Sequence, residues 1–220
     1  MSLSSRLEAL VAVSPVRIGE IEIAVDESVS GYSLYHVSDR ALAGDTGNLR
    51  IYDDPTNARE ISTYAKDGTY RFAKGQVNLN QGWMLKLETI AQVQVALDLF
   101  YPAALGMYFA KQEGRLEIEN LRPKLDRQTG MYRFAKTISD DGAQKLVEKI
   151  CGPAHQCARK ILWQIDEATP LAESPASRYD GIPFPDLNRE SIPLLCREAC
   201  NHFVTECRNA AREEFAKKPE

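Results

Sequence analysis

The run Ile192-Pro193-Leu194-Leu195-Cys196-Arg197-Glu198-Ala199-Cys200-Asn201 decides how this chain is read. It sets two cysteines four residues apart at the predicted start of a final helix, Leu195 to Phe215. Two more, Cys151 and Cys157, lie upstream, with residues 158–195 in between. The four meet only if the last third of the chain folds back on itself. The spacing therefore points to a metal centre closed by that return, with the rest of the chain as its scaffold.

A chain of 220 residues allows one large domain or two small ones, and it buries enough surface to fold without a metal. Its net charge of -4 argues against a general nucleic-acid binder, which is normally basic. The N-terminus lacks a basic-then-apolar pattern, so no signal peptide is expected. No apolar run approaches the ~20 residues of a membrane helix. The longest, Ile90 to Leu105, is interrupted by Gln92, Gln94, Asp98 and Pro102. A cytoplasmic location, with no membrane and no nucleic acid as partners, is the expectation. In a reducing compartment clustered cysteines act as metal ligands or redox groups more often than as disulfides, and the odd count of five fits a disulfide framework poorly.

Leu3, Leu7, Leu10 and Val11 recur at helical spacing and predict a helix over 3–13. Alternation over Ile18 to Val25 predicts one strand, and Tyr32 to Val37, Leu49 to Tyr52 and Gly82 to Leu87 predict three more. Asp54-Pro55 opens a short helix that ends at Gly68. Thr89 caps a helix to about Phe100, ended by Tyr101-Pro102. Leu116 to Ile118 is a short strand candidate, Arg122 to Tyr132 reads as a basic loop, and Ser139 caps a helix from Asp140 to Ile150. His155 to Ile165 reads as helical, and five prolines make 169–193 an irregular crossing. The segments Gly68-Thr69-Tyr70-Arg71-Phe72-Ala73-Lys74 and Gly130-Met131-Tyr132-Arg133-Phe134-Ala135-Lys136 differ at one position. They read either as two edge strands leaving similar turns or as a shared ligand-facing motif built on Arg71 and Arg133.

On a helix, Cys-x3-Cys holds β-carbons about 5–6 Å apart on one face. A zinc ion with ~2.3 Å bonds draws its thiolates closer than that, whereas an iron–sulfur cube spreads them over separate corners. Four thiolates are the usual complement of an iron–sulfur cluster. Placed in the first turn of the last helix, Cys196 would meet free amides and the helix dipole. Gly152 and Pro153 allow a tight turn beside Cys151, and Arg159 and Arg197 would offset cluster charge. Cys207, two turns beyond Cys200, is assigned to the core. His155 is an alternative ligand or a solvent-facing loop residue. By spacing alone, iron–sulfur and zinc remain close.

The order Arg127-Gln128-Thr129-Gly130-Met131-Tyr132-Arg133, Cys151-x5-Cys157-x3-Ile161-Leu162-Trp163 and Pro193-Leu194-Leu195-Cys196-Arg197-Glu198-Ala199-Cys200-Asn201 resembles the C-terminal half of sirohydrochlorin cobaltochelatase-like multidomain proteins. Asp54-Pro55 and Gly82-Trp83 fit the stabilising part of the same proteins. The resemblance implies a 4Fe-4S cluster on Cys151, Cys157, Cys196 and Cys200, with zinc as the alternative metal. It implies an α+β fold, a mixed sheet with helices followed by a mainly helical cluster-binding region, divided as 1–137 and 138–220. The chelatase-like domain has no counterpart in these residues, and His36, His155 and His202 form no paired insertion site, so no chelatase activity carries over. Four thiolates leave no open iron position, so an electron-transfer or redox accessory role near tetrapyrrole or cobalamin metabolism is expected rather than catalysis. Its partner would be a redox protein or a chelatase-like protein. A structural or interaction module around a redox-silent metal is the alternative. Arg71, Arg127 and Arg133 are the candidate anion-binding residues.

Overall fold

The computed structural model describes residues 2–28, 30–44, 46–62, 79–116, 119–151, 159–161, 163–164, 191–192, 194–196 and 199–217. The chain divides into two compact units. The first holds Met1–Ala73, Val77–Glu113 and Asp186–Leu194, and the second holds Lys74–Gln76, Gly114–Pro185 and Leu195–Glu220.

In the first unit a mixed six-stranded sheet carries the core. Its strands are β1 (Val16–Ile18), β2 (Ile21–Asp26), β3 (Gly31–His36), β4 (Arg50–Tyr52), β5 (Trp83–Leu87) and β9 (Ser191–Ile192), in the order β4-β5-β3-β2-β1-β9. The inner pairs are antiparallel, and the edge pairs β4/β5 and β1/β9 are parallel. The single strand expected over Ile18 to Val25 is a hairpin. Gly19 takes φ +58, a left-handed turn conformation that favours glycine, and Ile18 pairs with Ile21. The signal was the three-residue step from Ile18 to Ile21, which breaks a period of two.

Helices α1 (Leu3–Val11) and α3 (Ile90–Phe100) share the core with this sheet. They bury Leu7, Val11, Val93, Leu97 and Phe100 with Ile18, Ile21, Ile23, Leu34, Leu85 and Leu87. Each such side chain contributes roughly 1.5–3 kcal/mol by leaving water. Trp83 stacks on Phe100 with ring centroids 5.4 Å apart. The expected cap forms: the Gln92 N–H donates to Thr89 Oγ1 (3.3 Å) and the Thr89 N–H donates to Gln92 Oε1 (3.0 Å). Asp54 caps its turn as expected, accepting from the Thr56 N–H at 2.7 Å, ahead of α2 (Ala58–Ile61).

A further helix, α4 (Ala104–Gln112), follows α3 after a 99° bend at Tyr101-Pro102-Ala103 and buries Leu105, Tyr108 and Phe109. This helix is not among the elements expected from the sequence. Among the described residues no single helix is long and apolar enough to cross a membrane. The face of β2 and β3 opposite this core holds a buried carboxylate, Glu22. It accepts from the Tyr35 hydroxyl (2.6 Å) and from Arg40 Nε (2.8 Å), so its desolvation is offset by two donors.

The second unit is built from shorter pieces. These are β6 (Glu119–Asn120), α5 (Arg122–Asp126), a 3-10 helix (Gly130–Thr137), α6 (Asp140–Cys151), β7 (Arg159–Ile161), β8 (Trp163–Gln164), β10 (Leu194–Cys196) and α7 (Asn201–Ala216). β6 pairs with β8, and β10 pairs with β7. Three expectations are corrected here. The basic loop over Arg122 to Tyr132 is α5, begun by Pro123, followed by the start of the 3-10 helix. The described parts of His155 to Ile165 are extended, because their few residues pair as strands with β10 and β6. The final helix begins at Asn201, not Leu195. The expected division at 137/138 falls inside this unit, whose core joins Leu121, Leu125 and Ala135 to Ala143, Val147, Phe203, Val204, Cys207 and Ala211.

Ser139 caps α6 as expected, its Oγ accepting from the Gly142 N–H at 3.0 Å. The Glu214 carboxylate of α7 also reaches this turn, accepting from the Ser139 N–H (3.0 Å) and hydroxyl (2.8 Å). A Cβ on Gly142 would crowd Glu214 Oε1, the end of that side chain, which would have to shift from its place on the cap.

Candidate metal centre

Three of the four proposed ligands fall within the described residues. Cys151 is the last residue of α6, Cys196 the last of β10, and Cys200 the N-cap of α7. The correction at residue 195 changes the geometry of the Cys-x3-Cys pair. Cys196 and Cys200 do not share a helix face. They flank a strand-to-helix junction, so the helical spacing argument for a cluster does not apply to them. The position at the helix start belongs to Cys200, whose sulfur accepts the Phe203 N–H at 3.4 Å. It occupies the place of a capping serine, where helix amides favour an anion.

Cys151, Cys196 and Cys200 are each half-buried. Cys151 and Cys200 pack against the second core beside Ala199, with Leu146 and Ile150 next to it on α6. Cys207 contrasts with them. It is fully buried in that core, and burial pushes its thiol up to about 12. A ligand must be a thiolate, so Cys207 fits the core assignment and the three half-buried thiols fit soft-metal ligation. Cys157, His155, Arg197 and the first repeat, with Arg71, lie outside the described residues. Among the described residues no three His, Cys, Asp or Glu side chains are grouped to hold an ion.

The candidate anion residues part company. Arg127 is exposed, and its Nε donates to the Pro123 carbonyl of its own helix at 3.2 Å. Arg133 lies with its guanidinium carbon 5.5 Å from the Phe134 ring centre. Arg212 lies 5.3 Å from the same ring, and Arg208 5.5 Å from that of Tyr132. The second repeat is a 3-10 helix rather than an edge strand, and its two aromatic rings seat arginines of α7. Arg208 and Arg212 are not among the residues expected from the sequence. Their i, i+4 spacing on the last helix was the available signal.

The mixed-sheet unit has no cysteine, and the second unit carries all five. Comparison with protein families agrees. Residues 3–112 match the DR2241 stabilising domain, and residues 113–209 match the 4Fe-4S iron-sulfur cluster binding domain. The chain belongs to the DR2241 stabilising domain family and carries a 4Fe-4S cluster-binding domain after it. Among solved structures it is similar to DR2241 from Deinococcus radiodurans, described as a multi-domain protein with structural similarity to chelatases and two additional novel domains. The TM-score is 0.71 at 22% identity, over 96% of this chain and 41% of that one. At that identity the likeness speaks for the fold, and the chain spans well under half of that protein's length. No curated protein matches the chain.

Proposed function

We propose that the protein is a cytoplasmic redox accessory whose 4Fe-4S cluster is held by Cys151, Cys157, Cys196 and Cys200. In this reading it passes electrons to or from a partner, a redox protein or a chelatase-like protein, in tetrapyrrole or cobalamin chemistry. The observation that carries it is the contrast among the cysteines: three half-buried thiols end α6, end β10 and cap α7, while the fourth described thiol is sealed in the core. The cluster supplies one-electron chemistry when bound. The chain's own part is to hold its ligands at element ends and to bring Cys196 to Cys200 through the strand-to-helix junction.

Anaerobic purification tests this. The expected protein is brown, with about four iron and four sulfide per chain for a cube. Cys151→Ser, Cys157→Ser, Cys196→Ser and Cys200→Ser each lose most of the iron, and Cys207→Ala keeps it. A colourless protein with one zinc would sink the reading. A second reading, a redox-silent metal that only fastens the crossing, draws on the path of the chain. β9 and Leu194 are built into the first unit, and Cys196 follows within β10. Under that reading dithionite leaves partner binding unchanged while Cys196→Ser frees β9 and β10 to hydrogen exchange.

A further inference from the structure

The second repeat, Met131-Tyr132-Arg133-Phe134, is the feature that cluster binding does not explain. It builds a cationic ladder. Arg208 lies over Tyr132, and Arg133 and Arg212 lie over the one ring of Phe134. Arg133 and Arg212 are exposed, and among the described residues neither has a carboxylate partner. Two acids of these elements are engaged elsewhere. Glu214 caps α6, and Asp140 pairs with Arg122, which also donates to the Lys136 and Ile138 carbonyls. Two cations drawn to one ring repel each other, and an incoming carboxylate relieves that repulsion while the ring keeps both guanidiniums in place.

Apolar side chains complete the face. Met131, next to Tyr132, is 65% exposed, and Phe215, one turn beyond Arg212, is 74% exposed. Methionine, aromatic residues and arginine are the types enriched where proteins dock. An inorganic anion makes no use of the apolar rim.

We infer that Arg133, Phe134 and Arg212, flanked by Arg208 on Tyr132 and rimmed by Met131 and Phe215, dock a protein partner that presents carboxylates among apolar side chains. The face lies on the helix that Cys200 caps, but it stands without the cluster reading, since none of its residues is a proposed ligand.

The test is anisotropy titration of the full chain with a fluorescein-labelled peptide alternating glutamate and leucine, and with a lysine–leucine counterpart. The glutamate peptide should bind and weaken with salt, and the lysine peptide should not bind. R133E/R212E should weaken binding on the order of tenfold or more. M131S/F215S should weaken it several-fold at every salt concentration, and the control R59E, at an exposed arginine of the first unit, should stay within about twofold. R133Q/R212Q carries the test if the charge reversal disturbs the circular dichroism spectrum. Equal losses in R59E and R133E/R212E would overturn the proposal, since the effect would then be net charge. Displacement by inorganic phosphate with M131S/F215S unchanged would reduce it to an anion site. A wild-type dimer in sedimentation that R133E/R212E dissolves would assign the face to a second copy of the chain. Loss of iron in the cysteine variants with unchanged peptide binding would keep this inference and the cluster proposal separate.

Discussion

The two units solve the problem of stability with different materials. The first has no cysteine and closes a six-stranded sheet with α1, α3 and α4 over large aliphatic and aromatic side chains. The second has all five cysteines, strands of two or three residues, and a core in which alanines and a buried thiol stand beside Phe203, Leu121 and Leu125. Large side chains bring stability by leaving water, whereas small ones bring much less per residue. The second unit relies instead on specific polar ties, such as Glu214 on the cap of α6 and Arg122 on Asp140, and on the cluster proposed for its half-buried thiols. Burial tolerates local error, but a polar tie is lost when one atom moves.

That contrast can be broken at its strongest point first. Phe100→Ala removes a fully buried ring stacked on Trp83 and should cost about 3–5 kcal/mol, with or without iron. A urea-melt loss below about 1 kcal/mol would show that burial does not carry the first unit. The second unit should fail at its ties. Glu214→Ala should cost about 1–2 kcal/mol by stripping two hydrogen bonds from Ser139. Gly142→Ala alone should miss the gain of about 1 kcal/mol that alanine usually brings to a helix, and should recover it in the Glu214→Ala background. A double-mutant cycle by thermal melts measures this coupling, and additive effects would refute it.

Thr89→Ala in the first unit should cost about 1 kcal/mol and increase exchange at the start of α3 only. The smallest effect sharpens the polar edge of the first unit. Burial holds the Glu20 carboxyl above the usual carboxylate range, and the nearby His36 imidazole, 3.8 Å away, only partly offsets this. The folded chain therefore keeps this proton to a higher pH than the unfolded chain. Its stabilising effect is full below the ordinary value of 4.5 and is lost as pH rises through the raised one. Glu20→Gln should raise Tm at pH 7 and change it little at pH 4. The opposite ordering would mean that the ion pair with His36 outweighs burial.

Elements with a long apolar face or a local cap were legible in both units, as α6 behind Ser139 shows in the second. Period and caps identified α1, β3, β4, β5 and α3 because long apolar faces and the Thr89–Gln92 box act locally. The Ile18–Val25 hairpin was misread although Gly19 marked its turn, and α4 was passed over although Leu105, Tyr108 and Phe109 recur at helical spacing. In the second unit, β7 and β10 are too short to show a period and exist because each supplies the other's hydrogen bonds. The start of α7 moved from Leu195 to Asn201 for the same reason: residues 194–196 found a strand partner, and Cys200 took up the capping duty.

The sequence by itself determined the main elements behind the α+β class and the assignment of Cys207 to the core. These depend on residue type and on spacing within one element. Only the tertiary structure decided that Cys196 and Cys200 flank a junction instead of sharing a helix face. It also decided that β9 joins the first sheet and that Arg208 and Arg212 find the rings of the second repeat. Each of those outcomes requires a partner far away in the chain, and no local pattern encodes which distant edge or ring will be there.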